Sequence, residues 1–300
     1  MLVDIFCQLN LSRNSCRLIE DCTRERSAMS NDINERFLGA VGRHFVTLSC
    51  MQTPPKLTVE QVVLFSGFVI AVDDVWFYVT AGHILRFIRS TLAAGGKFDI
   101  WRLGDQTARG PFKEIGIPFD FVVDQWLEIE DESVGLDYTA IPLRDLYRQA
   151  LERGGVLPIE KHAWGDYVTE YDQWVLVGVP AETVTHDGYR LITAKVVSVA
   201  LEEAETPEGA GSKAENQFYG RLKDGSEAVV ENVEGMSGGP IFATKRIDNT
   251  LKYKVIGIQS GWYRSIRTIT ACPFSSFGLA LEDAVRIARG ENATAQPSAT

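Results

Sequence analysis

Gly235-Met236-Ser237-Gly238-Gly239-Pro240-Ile241-Phe242 sets a serine among three glycines directly before an apolar run. A glycine-rich turn lets the main chain approach a ligand closely and can aim successive N–H groups at one point. A serine held there has an exposed hydroxyl beside donors for a developing oxyanion, which is what a nucleophile needs. The other reading is a tight turn feeding a strand. The rest of the chain separates the two, because a serine nucleophile needs a base and a carboxylate that orients the base.

Four histidines are available. His44 opens a strand, His162 lies in a connection and His186 sits in a His-Asp-Gly turn. His83 follows Thr80-Ala81-Gly82 at a strand-to-helix junction flanked by small residues, where a ring can project into a cleft. Taken alone, it reads first as a satisfied structural histidine. Asp137 differs from most carboxylates in being followed directly by Tyr-Thr-Ala-Ile. A partly buried aspartate needs a hydrogen-bonded partner to offset desolvation, and an imidazole N–H is a good one; a strand cap is the alternative. Asp131 and Asp145 are the next candidates, both in highly charged surroundings.

Around these residues the texture is β. Phe45–Ser49, Val62–Val72 and Val75–Thr80 are rich in β-branched and aromatic residues, with Asp73-Asp74 as a hairpin turn. A short helix is expected over Ile84–Ser90, strands at Phe98–Trp101 and Phe119–Val123, and a solvated acidic loop at Glu128–Glu132. Pro142 suggests an edge or a strand end. Leu143, Leu146, Tyr147, Ala150 and Leu151 fall at helical spacing, and Gly154-Gly155 ends that helix. A second β series runs from Gln173 through Tyr189–Leu201, Ala228–Val230, Pro240–Ala243, Tyr253–Trp262 and Phe277–Leu281, with Glu202–Gln217 as a surface loop. Leu281, Ala284, Val285 and Ala288 form a helical face stopped by Gly290. Two runs of short strands without βαβ alternation predict an all-β fold of two β-barrels or sandwiches. The boundaries expected are an N-terminal extension at 1–35, a first β unit at 36–150, a connection and second β unit at 151–290 and a disordered tail at 291–300.

Composition narrows the function. A net charge of −10 over 300 residues, with no basic run interleaved with aromatics, argues against nucleic acid. The five cysteines (Cys7, Cys16, Cys22, Cys50 and Cys272) form no C-x-x-C pair, and no H-E-x-x-H occurs, so no metal site is expected. An odd cysteine count and the lack of a leader-like N-terminus fit a cytoplasmic location. The longest apolar run, Val62–Val72, is too short to span a membrane.

Thr80-Ala-Gly-His83, Asp137-Tyr-Thr-Ala-Ile and Gly235-Met-Ser237-Gly-Gly-Pro together resemble the three signature motifs of the chymotrypsin/trypsin-like serine peptidases, in that family's His, Asp, Ser order. They lie 54 and 100 residues apart. Ser66-Gly-Phe-Val-Ile resembles the opening hairpin of bacterial members, and Val255–Trp262 the strand that binds substrate backbone. The resemblance spans roughly residues 40–290. It implies two six-stranded antiparallel β-barrels with a short connecting helix and a C-terminal helix, the bacterial trypsin-like type without an appended PDZ domain. It further implies a serine endopeptidase without a cofactor, acting on protein or peptide substrates. Ser237 would be the nucleophile, His83 the base and Asp137 its orienter. The N–H groups of Gly235 and Ser237 would form the oxyanion hole. Ser260, Gly261 and Trp262 would border the substrate cleft, and Glu231 would lie at the base of the side-chain pocket. A trypsin-fold protein that is silent or switched on by a partner, with residues 1–35 as a regulatory surface, is the alternative. Gly235-Met-Ser-Gly-Gly also fits the G-x-S-x-G elbow of α/β-hydrolases. That fold puts its histidine after the serine, and the last histidine here, His186, precedes Ser237.

Overall fold

A computed structural model describes residues 37–104, 116–187, 191–248 and 250–291. The expected 1–35 extension and nearly all of the expected tail lie outside these residues. Two compact units divide the chain: Met1–Val41, of which only 37–41 are described, and Gly42–Thr300, which carries everything that follows.

The first half of the larger unit is one antiparallel sheet. Its strands are β1 (Phe45–Thr53), β2 (Gln61–Val72), β3 (Val75–Thr80), β4 (Lys97–Gly104), β5 (Gly116–Pro118), β6 (Leu127–Asp131) and β7 (Leu136–Pro142), in the order β5-β4-β1-β2-β3-β7-β6. Asp73-Asp74 closes the β2–β3 hairpin as expected, with Val72 opposite Val75 and Asp73 in the left-handed region that Asp tolerates. Of the two expected six-stranded barrels, this first one is shown only in part: among the described residues the sheet has seven strands and no closing pair. Its core gathers Val46, Leu48, Val69, Tyr78, Leu85 and Leu103.

Three expectations differ locally. Phe119–Val123 is not a strand; β5 ends at Pro118, after which Phe119 turns inward and Trp101 stacks on Phe121 with centroids 4.0 Å apart. Glu128–Glu132 is largely strand β6 rather than a loop. Its acidic side chains are neutralised by helix α1 (Gly82–Ala93), where Arg89 pairs with Glu128 and Arg86 with Glu130. Helix α1 is itself longer than Ile84–Ser90, with Ile84, Leu85 and Ile88 buried.

Helix α2 (Asp145–Gly154) stops where Gly155 takes φ +104°, as the Gly154-Gly155 pair predicts. The second half is a closed six-stranded barrel, β11-β12-β15-β14-β13-β8, matching the expected strand number. Its strands are β8 (Gln173–Gly178), β11 (Val197–Ala204), β12 (Phe218–Leu222), β13 (Pro240–Ile247), β14 (Thr250–Tyr263) and β15 (Thr268–Pro273); a small hairpin of β9 (Thr185–Asp187) and β10 (Leu191–Thr193) stands apart. Leu176, Val199, Leu201, Phe218, Ile241, Ile256 and Ile269 fill the interior.

Ala228–Val230 is not a strand, because Val230, Val233 and Met236 enter the core from an irregular loop. Phe277–Leu281 belongs to helix α3 (Phe274–Ala288), whose buried Phe274, Phe277, Gly278, Leu281 and Val285 recur at helical spacing. Phe277 stacks on Tyr138 at 4.8 Å, and the Tyr138 hydroxyl donates to the Pro273 carbonyl at 2.8 Å. The helix thereby ties the first sheet to the barrel. The described residues form an all-β fold to which α1, a connecting helix and a C-terminal helix are added.

Candidate active site

β3 runs into α1 without a side-chain cap, and His83 is the second residue of that helix. Asp137 is the second residue of β7, which pairs with β3. A short strand-to-helix link therefore delivers the histidine beside the carboxylate. The His83 main-chain N–H donates to Asp137 Oδ1 at 2.6 Å, and its ring Nδ1–H donates to Oδ2 at 2.7 Å. A third donor, the Ser260 hydroxyl, reaches Oδ2 at 2.6 Å from β14. Burial alone would raise the Asp137 carboxyl. The His83 ring and amide and the Ser260 hydroxyl outweigh it and hold the group below the usual carboxylate range. An ionised Asp137 fixes the imidazole with Nδ1 protonated, so Nε2 is left as the acceptor.

Ser260 reaches Asp137 because β14 is irregular there. The β14–β15 register shifts between Gln259 and Gly261, and such a bulge re-aims one side chain. Sequence reading placed Ser260 on the cleft wall and missed this bond.

The Ser237 loop meets the same corner. Gly238, at φ +85°, is packed so tightly that a Cβ would collide with Thr80 Oγ1 and stand 3.0 Å from Ala81 N, two residues before His83. Only glycine serves there. The Gly238 N–H donates to the Gln259 carbonyl at 2.8 Å and the Gln259 N–H to the Gly239 carbonyl at 2.9 Å, so the loop is stitched to β14. Ser237 is partly exposed, and its hydroxyl is free of hydrogen bonds among the described residues.

The main-chain donors of this loop divide cleanly. The Met236 N–H goes to Val233, that of Gly238 to Gln259 and that of Gly239 to Met236. Those of Gly235 and Ser237 go to no acceptor among the described residues. Their direction is set from behind. Ala181 N–H donates to the Glu234 carbonyl at 2.8 Å, and every peptide bond described is trans. In a trans peptide the C=O and the following N–H point oppositely, so Gly235 N–H points away from Ala181. The Gly235 carbonyl is held in turn by the Ser66 hydroxyl at 3.2 Å, and Ser66 also accepts from Val179 N–H at 3.1 Å. The sequence marked Ser66 only as the start of a hairpin and Ala181 not at all, since both act from positions remote in the chain.

Two hollows flank the site. One of about 220 Å³ is bordered by His83, Asp137, Glu130, Lys213, Ser260 and Trp262. The other, of about 170 Å³, is bordered by Ser237, Glu234, Gln259, Gly261, Trp262 and Arg264. Gly261 and Trp262 line both. Glu231 lines neither; it is exposed, with its N–H bonded to Glu182. Among the described residues no group of three or more His, Cys, Asp or Glu is placed to hold a metal ion, and no helix is long and apolar enough to cross a membrane.

No family model and no curated protein matches the chain. Solved structures do. It is similar to a thermostable serine protease, AL20, from an extremophilic microorganism (TM-score 0.44, 14% identity, 81% of this chain and 96% of that one). It is also similar to an inactivated protease paralogue of the scabies mite (0.47, 13%, 80% and 94%) and to a catalytically inactive tobacco etch virus protease in complex with substrate (0.41, 10%, 82% and 86%). At such identities and TM-scores the likeness assigns no residue a role. The local geometry has to do that.

Proposed function

We propose that the protein is a chymotrypsin-like serine endopeptidase, with no bacterial subtype assigned. The observation that carries the reading is the pairing of a His83 ring held by Asp137 with two unspent N–H groups on either side of Met236, in the loop that bears Ser237. In this reading Ser237 Oγ attacks the peptide carbonyl as its proton passes to His83 Nε2. The carbonyl oxygen becomes an oxyanion received by the Gly235 and Ser237 N–H groups. Collapse expels the amine, which takes the proton from His83, and leaves an acyl-serine. Water then repeats the sequence: His83 accepts its proton, the hydroxyl oxygen adds to the ester carbon, and Ser237 leaves with the proton returned. Asp137 stays ionised and stabilises the imidazolium.

Serine is favoured over cysteine as the nucleophile. Burial pushes the Cys272 thiol up to about 12, helped by the Asp137 charge, and burial also raises Cys50. Neither thiol offers a thiolate near neutrality.

The test is labelling by a fluorophosphonate probe beside Ser237→Ala and His83→Ala, each checked for folding by circular dichroism. Labelled wild type with both variants silent is the expected result, and casein hydrolysis should fall by roughly 10⁶ in kcat with either change. A folded wild type that stays unlabelled, alone and after addition of cell extract, would overturn the enzyme reading.

A further inference from the structure

The hollow beside Ser237 has one unusual wall. Gln259 is 1% exposed, and its main chain is pinned at both ends to the serine loop. Its side-chain Nε2 donates to the Gly261 carbonyl at 2.9 Å, which settles the orientation of the amide: reversed, two oxygens would face each other. Oε1 is therefore the end left over, a buried acceptor with no partner among the described residues. Trp262, which lines the same hollow, carries a buried Nε1–H with no partner among the described residues. Buried groups of this kind are costly to leave unbonded, and a leucine in place of Gln259 would avoid the cost.

The charges at this hollow matter less. Glu234 and Arg264 are both exposed and of opposite sign, and Glu234 already accepts from Asn232 Nδ2 at 3.1 Å. Screened groups of this kind contribute little beside a buried unmet acceptor.

Resting on the serine-peptidase reading, we propose that this hollow takes the side chain preceding the scissile bond, and that Gln259 makes it select glutamine. A carboxamide carries one donor for Gln259 Oε1 and one acceptor for Trp262 Nε1–H. A glutamate would turn an anionic oxygen toward Oε1. An aliphatic side chain would leave both groups unmet. A lysine would strand an ammonium in a pocket with no buried carboxylate.

The experiment separates this from the question of catalysis. Peptides ending in a free C-terminal Gln, Glu, Leu or Lys are titrated into Ser237→Ala protein and followed by calorimetry. In parallel, wild type is profiled on a library varied at the residue before the cut. The Gln peptide should bind about 10- to 100-fold more tightly than the other three, with the same order in kcat/KM. Gln259→Leu should abolish the Gln preference and raise affinity for Leu. Gln259→Met serves if that variant does not fold, and Trp262→Phe should narrow the preference without removing it. Equal binding of the four peptides, or a preference for Lys, would overturn the proposal even if wild type labels with the fluorophosphonate. A Gln preference in binding without labelling would sustain it and overturn catalysis instead.

Discussion

Three donors converge on the Asp137 carboxylate, and only two of them come from His83. Ser260→Ala removes the third and leaves the histidine contact in place. Such a bond to a charged group is worth about 1.5–3 kcal/mol, so the carboxyl should bind protons more readily and the labelling rate should fall by roughly 10- to 100-fold. A rate equal to wild type would mean that the hydroxyl only packs. Gly235 makes a sharper case. At φ +88° a Cβ would stand 2.8 Å from the Ala181 nitrogen, the group that orients the peptide before it. On the proposed mechanism, Gly235→Ala should displace one oxyanion donor and lower kcat by roughly 10²–10³ with little change in KM. Steady-state kinetics on the same peptide decide it.

At the scale of elements, Phe277 is the test of how α3 supports the site. It is 2% exposed and stacks on Tyr138, the neighbour of Asp137. Phe277→Ala should cost about 3–5 kcal/mol in urea unfolding, as truncations of buried aromatics do. Sequence placed a strand at Phe277 because two phenylalanines and β-compatible residues cluster there. The helical repeat shows only when Phe274 and Val285 are counted together, eleven positions apart. β6 was hidden for a different reason: an acidic run reads as solvated unless the arginines of α1 are known to face it. The Thr80–His83, Asp137 and Gly235–Ser237 segments were legible because each is a short local signal on one element. The wall of the Ser237 hollow was not. It depends on a bulge in β14 and on the path of the loop before Ser237, and these put Gln259 rather than Glu231 against the serine.

Across the whole molecule, His44 joins the first strand to the connection and to the barrel. Its Nδ1–H donates to the Leu157 carbonyl at 2.6 Å, and its Nε2 accepts from the Tyr253 hydroxyl at 2.8 Å. Burial disfavours the imidazolium and lowers its pKa from 6.5 to about 4, despite the opposing Leu157 bond. Between those values the unfolded chain binds the proton and the folded one does not, so stability rises with pH through this window. As pH falls from 6.5 to 4 the fold should lose about 3 kcal/mol from this residue. Urea midpoints at pH 4.5 and 7 for wild type and His44→Gln measure it, and the variant should show the smaller difference.

The split of the site between the two halves has a consequence for the order of synthesis. Asp137 leaves the ribosome a hundred residues ahead of Ser237 and His83 earlier still, while Ser260, which braces Asp137, comes last. On the proposed reading, a nascent chain with its first sheet formed holds the base without the nucleophile. If the proposed activity holds, cleavage of its own unfolded neighbours has to wait until the barrel closes.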